Sequence, residues 1–240
     1  MLNERSKQVR RDTLRLSCAS GGYHYGGCFS IVEILIALYD FCLKEDDKFV
    51  LSKGHACWPL YVLLREHGLN PKLSGHPERD PANGINYTTG SLGHGFPAAV
   101  GMAFAKKMKG ESGNVYVLMG DGEAQEGTTW ESMLIAKKHN LDNLVVIVDE
   151  NRIQGSGWNQ DILSFNLYEV TNALGFDTWI VDGHNVDQLR KIIEEPCKTT
   201  KFIIAQTTKG KGVSYMENDP KWHANWPNKE FMDLAFEELS

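Results

Sequence analysis

The chain has 240 residues, 42% of them apolar and 23% charged, with a net charge of −6. That length and balance suit one large α/β domain with a well-filled core. The acidic balance and the absence of a Lys/Arg block argue against a phosphate-neutralising nucleic-acid or membrane-surface role. Five scattered cysteines, with no Cys-x-x-Cys pair, predict neither a zinc site nor a disulfide framework and point to a reducing cytoplasm. The charged N-terminus is no signal peptide, and no stretch reaches membrane-spanning length.

In chain order, residues 1–18 read as an amphipathic helix carrying Val9, Leu14 and Leu16. A glycine-rich loop is expected over 20–27, Ser20-Gly21-Gly22-Tyr23-His24-Tyr25-Gly26-Gly27. Ser30 and Glu33 have capping-box spacing ahead of an apolar helix with Ile31, Ile34, Leu35, Leu38 and Phe41. Phe49-Val50-Leu51 reads as a strand with Ser52-Lys53-Gly54-His55 as its exit loop, and 57–68 reads as a helix closing at Gly68. Residues 70–95 show no periodicity, and so long a loop in a compact domain is usually functional. A small-residue helix spans 96–108, with Lys106, Lys107 and Lys109 as its solvated end.

Val115 to Met119 is a buried strand that breaks at Gly120-Asp121-Gly122. A helix follows, where Thr128 and Glu131 again have capping-box spacing, and a second strand, 144–148, runs into Asp149-Glu150-Asn151. Strand, glycine turn, helix, strand is a βαβ unit, which brings Asp121 and Asn151 to one edge of a sheet. Their hard oxygen donors suit Mg²⁺ carrying a phosphate. Glu123 and Glu126 favour a helix N-terminus through its dipole, and the N–H groups near Gly122 form an anion site. Helices over 162–174 and 186–195 alternate with strands at 179–181 and 202–205. Residues 209–228 are irregular, with Trp222 and Trp226 expected at an interface, and a last amphipathic helix uses Phe231, Leu234, Ala235 and Leu239. The expected fold is one α/β domain, a mostly parallel doubly wound sheet flanked by helices. Glycine precedes His55, His76, His94 and His184, and loops bearing His24, His55, His76 and His94 are able to share one sheet edge. Lys209-Gly210-Lys211-Gly212 lacks the full P-loop pattern, and no Gly-x-Ser-x-Gly elbow occurs.

Gly120-Asp121-Gly122 followed by Asn151 resembles the thiamine-diphosphate motif. Residues 49–55, 75–80, 88–93 and 209–214 resemble, in the same order, segments of transketolases, specifically the N-terminal half found in two-subunit members. The resemblance covers 5–230. It implies that Asp121, Asn151 and the Ile153 carbonyl coordinate Mg²⁺, or Ca²⁺ or Mn²⁺ in its place. Gly122 and His55 would hold the diphosphate, with Glu123 and His223 also at the cofactor. Gly90 and Leu92 would lie against its rings. His24, His55, His76 and His223 would line the substrate channel and move protons, and Glu126 would join a carboxylate network across a subunit interface. A separate C-terminal subunit carrying the pyrimidine domain is implied, in an α₂β₂ assembly acting on a sugar or sugar phosphate by two-carbon ketol transfer.

Four positions depart from the family pattern: Tyr23 and Tyr25 flank His24, His94 replaces the usual glutamine, and Ala224 in His223-Ala224 replaces the glycine of His-Gly. They lie in presumed substrate or interface loops, which predicts a substrate other than a standard pentose phosphate. Two other readings stand beside this one. A thiamine-dependent assembly would make a deoxyketose phosphate or pass a glycolyl group to a carrier. Alternatively, a non-catalytic subunit would only bind or regulate a partner.

Overall fold

A computed structural model describes residues 2–21, 23–155 and 157–240, so the predicted loop residue Gly22 lies outside the described residues. Five parallel strands form the central sheet in the order β1-β2-β3-β7-β6. They are β1 (Lys48–Leu51), β2 (Val115–Gly120), β3 (Leu144–Glu150), β6 (Asp177–Asp182) and β7 (Lys201–Gln206). Two residue pairs, β4 (Ile153–Gln154) and β5 (Gly157–Trp158), make a small antiparallel hairpin after β3.

The inner strands β2, β3 and β7 are almost wholly buried because both their faces are covered, whereas the edge strand β6 leaves Trp179 and Ile180 exposed. Side chains alternate across the sheet. Tyr116, Leu118, Val145, Ile147 and Ile203 face one core, while Val115, Val117, Met119, Val146, Val148 and Ile204 face the other. Helices α1 (Glu4–Ser20), α2 (Tyr25–Ser30), α3 (Val32–Ile36), α4 (Trp58–Glu66), α9 (Val186–Glu194) and α10 (Lys229–Glu238) serve the first core. The second takes α5 (Gly95–Lys109), α6 (Gly127–Lys138) and α8 (Leu167–Ala173). The short α7 (Asn159–Ile162) follows the hairpin. Helices on both faces of a parallel sheet are the doubly wound arrangement expected. After β6 the chain turns back to place β7 beside β3, so the exits of β2, β3 and β7 share one carboxyl edge, where open α/β sheets take ligands. No helix among the described residues is long and apolar enough to cross a membrane.

Several local expectations are corrected. Gly26 and Gly27 belong to α2 rather than a loop. Ser30 does not cap with Glu33: its hydroxyl donates to Gly27 O (3.0 Å) and to Asp149 Oδ2 (2.7 Å). Thr128 likewise donates to Gly93 O (2.6 Å), so α6 opens without a capping box. A π-helical turn over Ala37–Cys42 shifts the helical register and leaves Phe41 51% exposed beneath the Arg190 guanidinium. The 162–174 helix is really α7 and α8 separated by extended residues. Lys106 is buried and donates to Asp46 O (3.0 Å). Trp222 is core, packed on Tyr215 and Phe231, whereas Trp226 is exposed. Ala235 of α10 and Leu239, which caps it, are buried, but Leu234 faces outward.

One buried ion cluster ties α1 to α3. Arg10 clasps Glu33 through two bonds (2.6 and 2.9 Å), and His184 Nδ1 lies 2.9 Å from the same carboxylate. Burial opposes ionisation of Glu33, but the Arg10 charge and the bonds from His184 and Arg10 outweigh it, and the pKa falls from 4.5 to about 2. The stabilisation is therefore complete above pH 4.5 and is lost as pH falls towards 2. Its size is on the order of 3 kcal/mol. Urea unfolding against pH should show this acid limb, flattened in Glu33→Gln. An identical limb in that variant would remove Glu33 as its source.

Candidate active site

The carboxyl edge of the sheet holds a cavity of about 300 Å³. Each wall comes from a separate chain crossing. Asp121 and Gly122 follow β2, Asn151 and Ile153 follow β3, and Lys209 follows β7. His55 leaves β1 on a 3₁₀ turn, and His24 enters α2 in a left-handed conformation (φ 65°). His76, Gly90 and Leu92 come from the long loop between α4 and α5. All the sequence-predicted site residues line this cavity except Glu126, which caps α6 at the exposed surface. His94 is also exposed and outside it, with its ring against Leu92 O (3.0 Å). A larger cavity of about 430 Å³ shares only Asp121 with the first and contains no histidine.

Two lysines to which the sequence reading assigned no role in the site stand in the cavity, Lys53 and Lys209. Each lies in a glycine-containing loop just past a strand, which was the available signal. Lys209 donates to Ile153 O (2.8 Å) and lies 2.9 Å from His223 Nδ1. Burial, then repulsion by Lys53, brings its pKa down to about 8. Lys53 is spent on Asp149, a fully buried carboxylate that also accepts from Ser30, Thr207 and Asn151. Burial opposes ionisation of Asp149, but Lys53 and these hydroxyls keep its pKa below the usual value.

Asp121 is not served by Lys53 in this way. Burial, then the neighbouring charge of Asp149, raises its pKa to about 6, although it accepts from the N–H groups of Gly122 and Arg152. Asn151 donates its amide NH₂ to Asp149 (2.7 Å), which leaves its Oδ1 as the acceptor, taken by Ile153 N at 3.1 Å. The Ile153 carbonyl keeps a second lone pair beyond its bond to Lys209. A carboxylate short of positive charge, an oriented amide oxygen and a carbonyl form a hard-oxygen set that fits a divalent cation. An ammonium beside them, short of negative charge, fits an anion carried by that cation. The Gly122 N–H is engaged by Asp121, so an anion here meets Lys209 first.

The imidazoles of His24, His55 and His223 cluster with ring centres 5.2–5.6 Å apart. Burial lowers the pKa of each, and neighbouring lysines add to it; His223 falls to about 3. They are neutral at pH 7 and able both to donate and to accept at a hydroxyl-bearing substrate. Glu123 is a strut of the same cavity, held by Ser52 Oγ, Gly93 N and Gly120 N. Burial raises its pKa. Gly90 is needed where it stands: a Cβ there would lie 3.1 Å from the His76 ring, at a φ of 152°.

A set of hard oxygen donors, a buried ammonium and a wall of histidines thus stand together in one cavity on the carboxyl edge of a doubly wound sheet. The family model for the transketolase thiamine diphosphate binding domain matches residues 17–230, and the chain belongs to that family. It is 37% identical to one subunit of the apulose-4-phosphate transketolase from Actinobacillus succinogenes, over 99% of this chain and 95% of that one. It is 34% identical to a subunit of the 6-deoxy-6-sulfo-D-fructose transketolase from a Clostridium species, over 99% and 96%. Among solved structures, the transketolase of Campylobacter jejuni superposes with a TM-score of 0.85 at 28% identity, over 98% of this chain and 42% of that one. That of Leishmania mexicana gives 0.89 at 25% identity, over 100% and 41%. The chain thus spans about two fifths of these transketolases but nearly the whole length of the two separate subunits.

Proposed function

We propose that this chain is the diphosphate-binding subunit of a two-component transketolase, active with a partner that carries the pyrimidine domain, as α₂β₂. The observation that carries the reading is the charge imbalance of the cavity. Asp121 wants a cation and Lys209 wants an anion, in one cavity with neutral histidines. Asp121, Asn151 Oδ1 and the Ile153 carbonyl would hold Mg²⁺, or Ca²⁺ or Mn²⁺, and Lys209 and His55 would face the diphosphate. Bound thiamine diphosphate supplies a carbanion at its thiazolium carbon. Gly90 and Leu92 would pack against the cofactor's rings, and His24, His76 and His223 would orient sugar hydroxyls and exchange protons with them. A positioned general acid or base contributes about 10²–10⁴-fold. Glu126, exposed at the start of α6, would meet the partner across the subunit interface.

The reaction is transfer of a two-carbon ketol unit from a ketose phosphate to an aldehyde. A substrate other than an ordinary pentose phosphate fits the Tyr23 ring, which is 38% exposed and lies against the ring of the cavity residue His24 at 4.3 Å. The names of the two subunit relatives, for apulose-4-phosphate and for 6-deoxy-6-sulfo-D-fructose, support that reading. A cytoplasmic setting suits the five free thiols. Purified alone, the chain should show no thiamine-dependent transfer; mixed with its partner subunit it should turn over a ketose phosphate. Robust activity without a partner would overturn the split assembly. Efficient turnover of ordinary pentose phosphates, with nothing better, would overturn the substrate assignment.

A further inference from the structure

The segment from Thr207 to Lys211 carries Lys209 into the cavity, and the buried Arg10–Glu33–His184 cluster grips it on both sides of that lysine. The Thr208 N–H donates to His184 Nε2 at 2.8 Å. Arg10 Nε donates to Lys211 O at 2.7 Å. A backbone N–H is only a donor, so Nε2 is the bare nitrogen and the proton is on Nδ1, facing Glu33 at 2.9 Å. One carboxylate therefore sets both the tautomer of His184 and the placement of Arg10. The His184 loop is itself fixed, through its own N–H to Asp182 Oδ1 at 2.9 Å.

We propose that His184 is a positioning residue for Lys209: by accepting from Thr208 N–H it sets the aim of the ammonium that receives the cofactor's diphosphate. The inference rests on the function proposed above. His184 does not line the cavity; it acts one residue upstream of the lysine. The fold does not depend on it to neutralise Glu33, because Arg10 already takes both oxygens of that carboxylate. Removing His184 leaves no buried charge unpaired, but it leaves the Thr208 N–H without its acceptor. The backbone before Lys209 then rests on Thr207 N to Glu150 O, the Thr207 hydroxyl to Asp149 and Lys211 N to Thr208 O, none of which fixes the Thr208 N–H. Other bonds in the segment, from Gly210 N to Gly26 O and from Asn218 N to Lys209 O, hold the chain at and beyond Lys209 and do not replace this one. A ligand held 1 Å out of place loses much of its interaction energy, and partners that orient a binding group typically control about 10–100-fold in affinity.

The test is a double-mutant cycle on the full chain assembled with its partner subunit, reading Mg²⁺-dependent thiamine diphosphate affinity by equilibrium dialysis. His184→Leu should weaken binding about tenfold. In a Lys209→Met background the same change should cost less than about twofold, because there is no ammonium left to aim. His184→Gln, which keeps an acceptor for Thr208 N–H, should restore most of the affinity. A second readout needs no cofactor: acetylation of Lys209 by acetic anhydride, followed by mass spectrometry, should change rate severalfold in His184→Leu and not in His184→Gln. Equal losses with and without Lys209, or an unchanged acetylation rate, would overturn the proposal. If the unmutated assembly binds no thiamine diphosphate, the proposed function fails, and the acetylation rates still decide whether His184 aims Lys209.

Discussion

Asp121→Asn is expected to abolish Mg²⁺-dependent retention of thiamine diphosphate by the assembled pair, weakening it by two orders of magnitude or more, about 2.7 kcal/mol. The variant removes the negative charge of the hard-oxygen set and keeps one acceptor oxygen, so only one of the Gly122 and Arg152 N–H groups, which bond to different oxygens of Asp121, keeps its partner. The same change should not harm the cofactor-free chain. A carboxylate whose folded pKa is raised from 3.8 to about 6 opposes folding at pH 7, by something on the order of 3 kcal/mol. Its penalty grows as pH rises through that window, and its relief at pH 7 offsets the cost, about 1–3 kcal/mol, of the N–H group left without an acceptor, so the thermal midpoint should hold. Calorimetric titration and a melting curve check both halves. Unchanged cofactor affinity would mean that the cation site lies elsewhere.

The second large effect is on stability. Lys53 and Asp149 are 2% and 0% exposed and pair directly. Lys53→Met should cost about 3–5 kcal/mol in urea unfolding, the usual penalty for stranding one charge of a buried pair. The cost arises at Asp149, which would keep its hydroxyl and amide donors but lose its counter-charge. Lys53→Met combined with Asp149→Asn should recover much of the loss, because no charge is then buried. A single-variant loss under about 1 kcal/mol, or no recovery in the pair, would show that the contact is not what holds these loops together. Because Asp149 also orients Asn151, the single variant should weaken the cation site as well.

Local pattern predicted the strands and most helices well, since an apolar run such as Val115–Met119 has to be covered on both faces whatever surrounds it. Both capping boxes failed for a common reason. The Ser30 hydroxyl finds Asp149, 119 residues away, and the Thr128 hydroxyl finds Gly93 O, 35 residues away. A buried partner across the fold outcompetes a partially solvated one three residues on. Trp222 looked like interface because it sits in a Pro-containing loop near His223, yet Tyr215 and Phe231 close over it. The cavity histidines were legible because glycine-bearing loops after strands converge on one edge. Lys53 and Lys209 stood in segments the sequence marked, but their roles were not legible, because a lysine's role depends on what its long side chain reaches.

The order of strands and helices, the glycine breaks and the oxygen donors at Asp121 and Asn151 were determined by the sequence alone, because hydrophobic period and turn chemistry act over a few residues. Only the tertiary structure decided which charges are paired. Lys53 satisfies Asp149 and not Asp121, although both acids lie at the ends of adjacent strands. That choice leaves Asp121 and Lys209 each in want of a counter-ion, and it depends on side chains drawn together from far apart in the chain, where a low-dielectric interior makes every unpaired charge costly.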